Sequence, residues 1–205
     1  MYPFLKRLLD LTSGSLALVI LSPLLAVIWL VVRISMGSPV LFRQERAGLG
    51  GKPFFVYKFR SMNSAKDAAG QLLPDADRLR PLGQFLRRMS LDELPQLFNV
   101  VKGEMSLVGP RPLYIRYISR YSNEQIKRLL VKPGITGLAQ ISGRNTLSWE
   151  AKFALDVTYV HQASLRFDLA IIFKTALSVI KSEGISQEGR ATMDEFMGSP
   201  VEPQS

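Results

Sequence analysis

The chain has 205 residues, a length typical of one domain, and 26 Lys and Arg against 17 Asp and Glu, for a net charge of +9. This charge favours anionic partners, whether nucleic acid, phosphorylated substrates or anionic lipid. Disulfides, thiolate zinc sites and cysteine nucleophiles are excluded because the chain has no cysteine, and a single histidine, His161, nearly excludes serine triads. We therefore expect a single domain over 1–205 whose chemistry comes from carboxylates.

The first feature along the chain is an apolar segment at 11–33, which carries no charge before its last residue, Arg33. A helix of this length is long enough to cross a bilayer. A cleaved signal peptide is the alternative, but the apolar region is too long for one and no small-residue cleavage site follows it. The sequence therefore predicts a membrane helix.

Ser22 and Pro23 interrupt the middle of this segment, and proline removes one helical hydrogen bond there. Two topologies fit. The first is a re-entrant helix, broken at Ser22 and Pro23, in which the Ser22 hydroxyl caps the freed carbonyl. The second is a proline-kinked helix that spans the membrane. Basic residues lie at both ends, which suits the re-entrant form because positive charge collects on the cytoplasmic side. These residues are Lys6 and Arg7 before the segment and Arg33 and Arg43 after it.

The rest of the chain has the short strands and amphipathic helices of an α+β fold that is mostly helical. Strands are predicted at 39–42 and 54–59, and the polar stretch 61–80 is typical of a mobile loop. Helices are predicted at 79–89, 91–102, 148–160 and 165–182. The last of these has an apolar face that either lies in the membrane interface or packs on the core. We expect the tail at 184–205 to wrap loosely or fray.

Two adjacent acids, Asp92 and Glu93, lie where the second of these helices is predicted to begin. Ser90 and Glu93 have the spacing of a capping box, and Pro95 suits the first turn of a helix. Asp92 is then at or near the N-cap, where a helix favours carboxylates and phosphate. The pattern is compatible with a nucleophile or a magnesium site, and equally with an ordinary cap.

Several cations fall beside turns and helix ends and are candidates for a phosphate site. Arg111 lies between Pro110 and Pro112, which stiffen its backbone. Arg144 follows a glycine-rich run, PGITGLAQISGR, whose exposed amides are suited to cradling a nucleotide. Each arginine alone is equally compatible with a surface charge or a salt bridge. The candidates are Lys58, Arg60, Arg87, Arg88, Arg111 and Arg144.

Five motifs occur in order and together carry a family resemblance: SPLL, YKFRSM, SLDELPQLFNVVKGEMSLVGPRP, KPGITGLAQISGRN and SWEAKFALDVTYV. The chain resembles the bacterial sugar transferases, and in particular the small monotopic phosphoglycosyl transferases of the PglC type. The resemblance covers roughly 3–197. The final GISQEGRATMDEF is similar to the tail of PglC enzymes that act on diacetylated bacillosamine, which makes that sugar a first expectation.

The resemblance implies a re-entrant membrane helix, amphipathic interfacial helices and a small catalytic domain on the cytoplasmic face of the bacterial inner membrane. It also implies that Asp92 attacks the sugar-linked phosphorus of a UDP-sugar, beside Glu93 and with Mg²⁺ bound by both acids. UMP leaves, and polyprenyl phosphate then accepts the phosphosugar from Asp92. The supporting residues implied are Lys58, Arg60, Arg87, Arg111, Arg144, Asp156, Pro110 and Pro112.

Two rival functions remain open at this point. A membrane-attached basic module that binds anionic lipid or nucleic acid needs only the charge and the anchor, but it leaves the acidic pair unexplained. A one-step phosphotransferase with both substrates bound would use Asp92 or Glu93 only as metal ligands. We expect the enzyme, with UDP-sugar, polyprenyl phosphate and membrane as partners and no nucleic acid. No motif indicates the oligomeric state.

Overall fold

The structure, a computed structural model, describes residues 2–143, 146–181 and 195–198. Helices dominate it, and its two small sheets have two strands each. The helices and strands are α1 Tyr2–Met36, β1 Leu41–Ala47, β2 Pro53–Phe59, α2 Asp75–Arg78, α3 Pro81–Arg88, α4 Gln96–Lys102, β3 Ser106–Val108, β4 Gly134–Thr136, α5 Leu138–Ile141, α6 Trp149–Gln162 and α7 Leu165–Lys181. Short 3-10 helices lie at Leu49–Gly51, Leu91–Glu93, Ile115–Arg120 and Gln125–Leu130.

The apolar segment belongs to one helix, α1, which is long and apolar enough to cross a membrane. Only 11% of its most apolar 18-residue stretch is buried against the rest of the protein, which a core helix would not allow. Pro23 lies inside this helix, and the Ser22 hydroxyl donates a 2.8 Å hydrogen bond to the Val19 carbonyl, four residues before the proline. The predicted capping by Ser22 is therefore confirmed. One helix continues through Ser22 and Pro23, and the re-entrant break expected there stays a prediction.

The start of α1 is attached to the globular part by polar contacts. The guanidinium of Arg7 donates to the carbonyls of Val100 and Val101 at 2.6 and 2.7 Å, which satisfies the end of α4. The buried Asp10 carboxylate accepts from the Ser106 hydroxyl and the Leu107 amide at 3.1 and 3.0 Å. These bonds fix the first turns of α1 against α4 and β3.

The end of α1 is attached by apolar packing instead. Ile28 and Val32 are buried with Val40, Phe59 and Leu86 in one cluster of the core. The same globular part therefore holds both ends of α1, while most of the stretch between them stays exposed. The exposed apolar residues of that stretch include Leu16, Val19, Ile20 and Leu24.

Strands β1 and β2 form the antiparallel hairpin that places Lys58 at the site. They pair in register from Leu41 opposite Phe59 to Ala47 opposite Pro53. The inner face packs Phe54 and Val56 on α4, and the Asn99 side chain bonds the backbone of β2. The sequence predicted both strands, but β1 begins and ends later than expected. The loop predicted at 61–80 contains the short helix α2 and a bridge between Lys66 and Leu72.

The predicted helices are confirmed as α3, α4, α6 and α7, and His161 is exposed near the end of α6. The predicted tail lies mostly outside the described residues. Within it, Phe196 is 1% exposed, so the expectation of a loose tail is wrong at this position. Its ring packs against Tyr117, Trp149 and Phe153, because burying so large an aromatic side chain is favourable.

Candidate active site

Glu93 is held by two cations from distant parts of the chain. The Lys58 ammonium lies 2.6 Å from Glu93 Oε1, and the Arg111 guanidinium bonds Oε1 at 2.6 Å and Oε2 at 3.3 Å. Burial would raise the pKa of Glu93, but Arg111 and Lys58 outweigh it and hold that pKa well below its usual range. Glu93 is therefore ionised and fixed at both oxygens.

Asp92 is buried beside it, with 8% exposure, in a different electrostatic state. Burial and the neighbouring Glu93 charge raise the pKa of Asp92 to about 6, although Lys58, Arg87 and Arg111 act in the opposite direction. Among the described residues, no donor hydrogen-bonds to its carboxylate. Near neutral pH Asp92 is thus mostly an anion with free oxygen atoms, which is the state that a nucleophile requires.

The local backbone differs from the predicted capping box. Ser90 adopts a left-handed conformation with φ of 55°, and its side chain caps nothing. The Ser90 amide donates to the Arg87 carbonyl, so it does not take the Glu93 carboxylate as a capping box requires. Asp92 lies in a 3-10 turn, and the N-cap of α4 is Pro95. The prediction failed because Lys58 and Arg111, which are remote in sequence, hold the Glu93 side chain.

The segment GPRP presents Arg111 to the acidic pair. Pro110 and Pro112 are buried, whereas the Arg111 side chain is 45% exposed. The Pro110 carbonyl accepts from the Gly134 amide at 3.0 Å, and the Arg111 carbonyl accepts from Arg128 at 2.6 Å. Hydrogen bonds to the Pro110 and Arg111 carbonyls therefore fix the backbone at Arg111, while the Arg111 guanidinium stays open to solvent and ligands.

Arg128 is a supporting residue that the sequence did not reveal. It forms a buried pair with Asp156, whose Oδ2 accepts from Nε and Nη2 at 2.9 and 2.8 Å. Burial raises the pKa of Asp156, and Arg128 only partly offsets this. Asp156 is thus connected to the candidate site through Arg128 and the Arg111 carbonyl, and its supporting role in catalysis stays a prediction. The sequence signal at this place was two adjacent charges, Lys127 and Arg128, between the apolar residues of 126–130.

The remaining predicted cations occupy different places. Arg87 contributes to the field at Asp92, and its Nε donates to the Ser61 hydroxyl at 2.9 Å. Arg60 donates to the Met36 carbonyl at the end of α1, and to the Met62 carbonyl and the Ser64 hydroxyl in the loop after β2. It therefore connects the end of α1 to that loop. Its role in phosphate binding stays a prediction beside this structural one. Arg88 is exposed, and Arg144 lies outside the described residues.

The glycine-rich run serves close packing of two backbone segments. Gly134 is buried, and a Cβ there would lie 2.1 Å from the Gly109 nitrogen. Gly137 is also buried, and a Cβ there would lie 2.2 Å from the Gly109 carbonyl oxygen. The expectation that exposed amides of this run cradle a nucleotide is therefore wrong for Gly134 and Gly137, because only glycine permits this backbone contact with GPRP.

The acidic pair fits a magnesium ion of the kind that shares its ligands with substrate. Mg²⁺ is usually held by one or two carboxylates together with phosphate oxygens and water. Asp92 offers free carboxylate oxygens, whereas those of Glu93 already bind cations. The described residues contain no group of three or more acids and histidines that would form an all-protein metal cage. Asp92 is thus the better ligand of the two, with Glu93 available if Lys58 or Arg111 moves to substrate.

Comparison with known proteins gives the same assignment as the site. The profile described as "Bacterial sugar transferase" matches residues 1–182. The chain belongs to the bacterial sugar transferase family. It is 52% identical to the uncharacterised sugar transferase EpsL of Bacillus subtilis over 195 residues, covering 95% of this chain and 96% of EpsL. The family resemblance seen in the sequence is thereby confirmed.

Two further family members carry more specific names. The chain is 41% identical to the undecaprenyl-phosphate galactose phosphotransferase of Salmonella typhimurium, over 88% of this chain and 41% of that protein. It is 42% identical to the UDP-glucose:undecaprenyl-phosphate glucose-1-phosphate transferase of Escherichia coli, over 83% of this chain and 39% of that protein. The chain thus matches less than half the length of these two relatives. Membership in a transferase family favours an enzyme over the non-catalytic basic module.

Proposed function

We propose that this sugar transferase moves a sugar 1-phosphate from a UDP-sugar to polyprenyl phosphate and releases UMP, through a covalent phosphosugar on Asp92. The observation that carries the proposal is the contrast between the two acids. Glu93 is ionised but bound at both oxygens, whereas Asp92 is buried, mostly ionised near pH 7 and free of hydrogen bonds among the described residues. Only Asp92 is therefore ready to form a bond without first losing a partner.

In the proposed first step, an Asp92 oxygen bonds to the sugar-linked phosphorus, and the phosphorus–oxygen bond to UMP breaks. UMP takes the electron pair of that bond. In the second step, a phosphate oxygen of the polyprenyl carrier bonds to the same phosphorus and Asp92 leaves as a carboxylate. Lys58 and Arg111 stabilise the charge on the moving phosphoryl group. Bound Mg²⁺ would supply further positive charge for the phosphate oxygens.

The arrangement of charge favours two steps over one. Two anionic substrates bound at the same time would repel each other in a small site, whereas a covalent intermediate lets them bind in turn. The product of both steps is a polyprenyl diphosphate sugar, which makes this the first membrane step in assembling a glycoconjugate. We propose UDP-galactose and UDP-glucose as donors because the names of the two relatives include galactose and glucose. Diacetylated bacillosamine remains the donor sugar suggested by the tail motif.

We also propose that α1 enters the cytoplasmic leaflet and returns, with both ends in the cytoplasm. Asp10 and Val32 contact the same globular part, yet they are separated by 22 residues of helix, or about 33 Å. That distance matches the hydrocarbon thickness of a bilayer, about 30 Å. A straight crossing would force the globular part into the membrane, whereas a helix bent near Pro23 would leave it outside.

Helix α7 supports placement at the membrane surface. Its buried residues include the charged Asp168, and large apolar side chains point outward instead. Leu169 and Phe173 are 64% and 65% exposed. Ile171 packs into the core on the buried side of α7, and the exposed apolar side that remains suits an interfacial helix. The catalytic site would then open at headgroup height, where the polyprenyl phosphate lies.

Thiol labelling tests the topology directly, because the chain has no cysteine of its own. Phe4→Cys and Met197→Cys each introduce one thiol at a position that is 74% or 75% exposed. In intact spheroplasts we expect both to resist a membrane-impermeant maleimide and both to react after lysis. Pro23→Leu should restore a straight helix and expose the Phe4→Cys thiol. Labelling of Phe4→Cys alone, in the protein with Pro23 intact, would show a spanning helix.

The activity is tested with the purified protein, magnesium, polyprenyl phosphate and the three UDP-sugars named above. We expect multiple-turnover UMP release to require both magnesium and the lipid, with a lipid-linked phosphosugar as the second product, and no more than one UMP per enzyme when the lipid is left out. Absence of UMP with every donor, in protein that is folded and in detergent or lipid, would contradict the proposed function. Release of UDP would indicate transfer of the sugar alone and would also contradict it.

A further inference from the structure

Arg46 lies beside the candidate site but outside the set of residues predicted from the sequence. It is on β1, opposite Phe54, on the same face of the hairpin as Lys58. Its guanidinium lies 3.8 Å from the centre of the Tyr114 ring and donates to the side-chain oxygen of Gln44. Gln44 in turn donates to the Tyr114 hydroxyl at 3.2 Å. Two side chains, Gln44 and Tyr114, thus hold a half-buried guanidinium in one place.

The backbone connects this cluster to Arg111. The amide of Ala47, next to Arg46, donates to the Leu113 carbonyl at 2.9 Å, two residues after Arg111. Burial and repulsion from Arg111 both lower the pKa of Arg46, and of the two burial is the larger cause. Two guanidinium groups therefore lie close enough to destabilise each other. Arg46 therefore lies beside the segment that carries Arg111.

The two arginines differ in what neutralises them. Arg111 and Lys58 are paired with Glu93, but Arg46 forms no ion pair with any residue of 2–143, 146–181 or 195–198. Desolvating a charge without a counter-charge is costly, and a second cation nearby adds to the cost. Lys58, Arg87 and Arg111 act on the acidic pair, and Arg46 adds a further positive charge near Arg111. This surplus of positive charge favours an anionic ligand such as a nucleoside diphosphate sugar, and a bound Mg²⁺ would add to it.

We propose that Arg46 binds the phosphate that leaves with the nucleotide, so that it is a binding residue for the nucleoside monophosphate half of the donor. The proposal rests on the proposed function, which supplies a donor with two phosphates. The phosphate that is transferred meets Asp92, Lys58 and Arg111, and the phosphate that leaves lies between Arg111 and Arg46. The planar guanidinium, held against the Tyr114 ring, is pre-organised for two parallel hydrogen bonds to phosphate oxygens.

The test compares Arg46→Ala and Arg46→Lys with a control on the same strand. Arg43→Ala removes an exposed guanidinium that lies over Phe55 on the opposite face of the hairpin. We measure UMP binding by calorimetry, the inhibition constant of UMP, and KM for the UDP-sugar and for polyprenyl phosphate. Arg46→Ala should weaken UMP binding about tenfold to a hundredfold, as loss of charge-assisted hydrogen bonds does. Arg46→Lys should lose less, and Arg43→Ala should match the wild type.

In Arg46→Ala, KM for the UDP-sugar should rise by the same factor as UMP binding weakens, whereas KM for polyprenyl phosphate should not change. Unchanged UMP affinity in Arg46→Ala would overturn the proposal, and so would an equal loss of affinity for both substrates. If Arg46→Ala does not fold, Tyr114→Leu gives a second test, because it removes the ring that supports the Arg46 guanidinium. Wild-type UMP affinity in both Tyr114→Leu and Arg46→Lys would likewise overturn the proposal. A wild-type protein that binds UMP but releases none from UDP-sugars would contradict the proposed function and leave the Arg46 site supported.

Discussion

Replacing Asp92 with Asn is expected to abolish phosphosugar transfer and, at the same time, to stabilise the fold. Asn keeps the size of the side chain but removes the anionic nucleophile, so turnover should fall at least about a thousandfold. The stabilisation follows from the raised pKa of Asp92, about 6 against an ordinary 3.8, since this shift means that the folded protein disfavours the ionised form. Thermal unfolding and UMP release of the same preparations measure the two effects.

The stabilisation of the fold by Asp92→Asn should depend on pH in a direction that follows from the raised pKa of Asp92. A carboxyl whose pKa is raised on folding costs nothing below its unfolded pKa, and its cost grows as the pH rises through the folded pKa. Asp92→Asn and wild type should therefore unfold at similar temperatures near pH 4 and diverge up to about pH 6 to 7. Two pKa units correspond to about 3 kcal/mol at most, and each kcal/mol to roughly 2–4 °C at this chain length.

Glu93→Gln is the matched control, because the two acids lie side by side with opposite pKa shifts. Loss of the Glu93 charge leaves Lys58 and Arg111 unpaired, so this variant should lose activity and also lose stability at neutral pH. Equal effects of Asp92→Asn and Glu93→Gln on the unfolding temperature would contradict the electrostatic difference that we assign to the pair.

The covalent bond itself is detected by mass spectrometry. Protein treated with magnesium and UDP-sugar, without lipid, should carry a phosphosugar on the peptide that contains residues 90–101. An adduct on Glu93, or one that persists in Asp92→Asn, would refute Asp92 as the nucleophile. Sequential kinetics without any adduct would favour the one-step phosphotransferase, in which the acids only bind metal.

Arg128→Met should be the most destabilising single substitution near the site. It leaves Asp156 ionisable, buried and unpaired, in a place where the two side chains are only 2% and 4% exposed. Removing one partner of a buried pair typically costs about 3–5 kcal/mol. Activity should fall as well, because the Arg111 carbonyl loses its donor and Arg111 is no longer fixed. Thermal unfolding and KM for the donor are the measurements.

A double variant separates stability from positioning. Arg128→Met with Asp156→Leu removes both charges and should regain most of the lost stability, since an apolar pair replaces an ionic one without leaving an orphan. It should not regain the donor KM, because no side chain then holds the Arg111 carbonyl. Recovery of both properties would show that Arg128 only stabilises the fold, and Arg128→Lys tests whether a shorter donor suffices.

Local patterns predicted most of the fold. Helices α3, α4, α6 and α7 follow from apolar spacing, and the hairpin follows from its alternating residues. Ser22 was predicted to cap a freed carbonyl because a proline always frees the carbonyl four residues before it, which here belongs to Val19. In each of these cases the cause and its effect lie within a few residues of each other, so the sequence alone was sufficient.

The errors have the opposite origin. Ser90 and Glu93 have the spacing of a capping box, but Lys58 lies 35 residues from Glu93 and competes successfully for its carboxylate. Arg128 and Arg46 were missed because their importance depends on Asp156 and Tyr114, whose proximity no local pattern reveals. For Arg60 the structure adds bonds that tie the end of α1 to a loop, which no local pattern indicated, and its predicted role in phosphate binding stays a prediction.

Because α1 is attached to the globular part at both ends, this helix is a structural part of the enzyme. Ile28 and Val32 supply core surface to the hairpin and α3, and Asp10 satisfies polar groups of β3. A chain beginning after Met36 would lack these contacts and expose the core beside Lys58. We therefore expect the part of the chain after Met36 to fold less stably by itself than it does with α1 attached, so that removing this helix is no neutral way to obtain a water-soluble form of the enzyme.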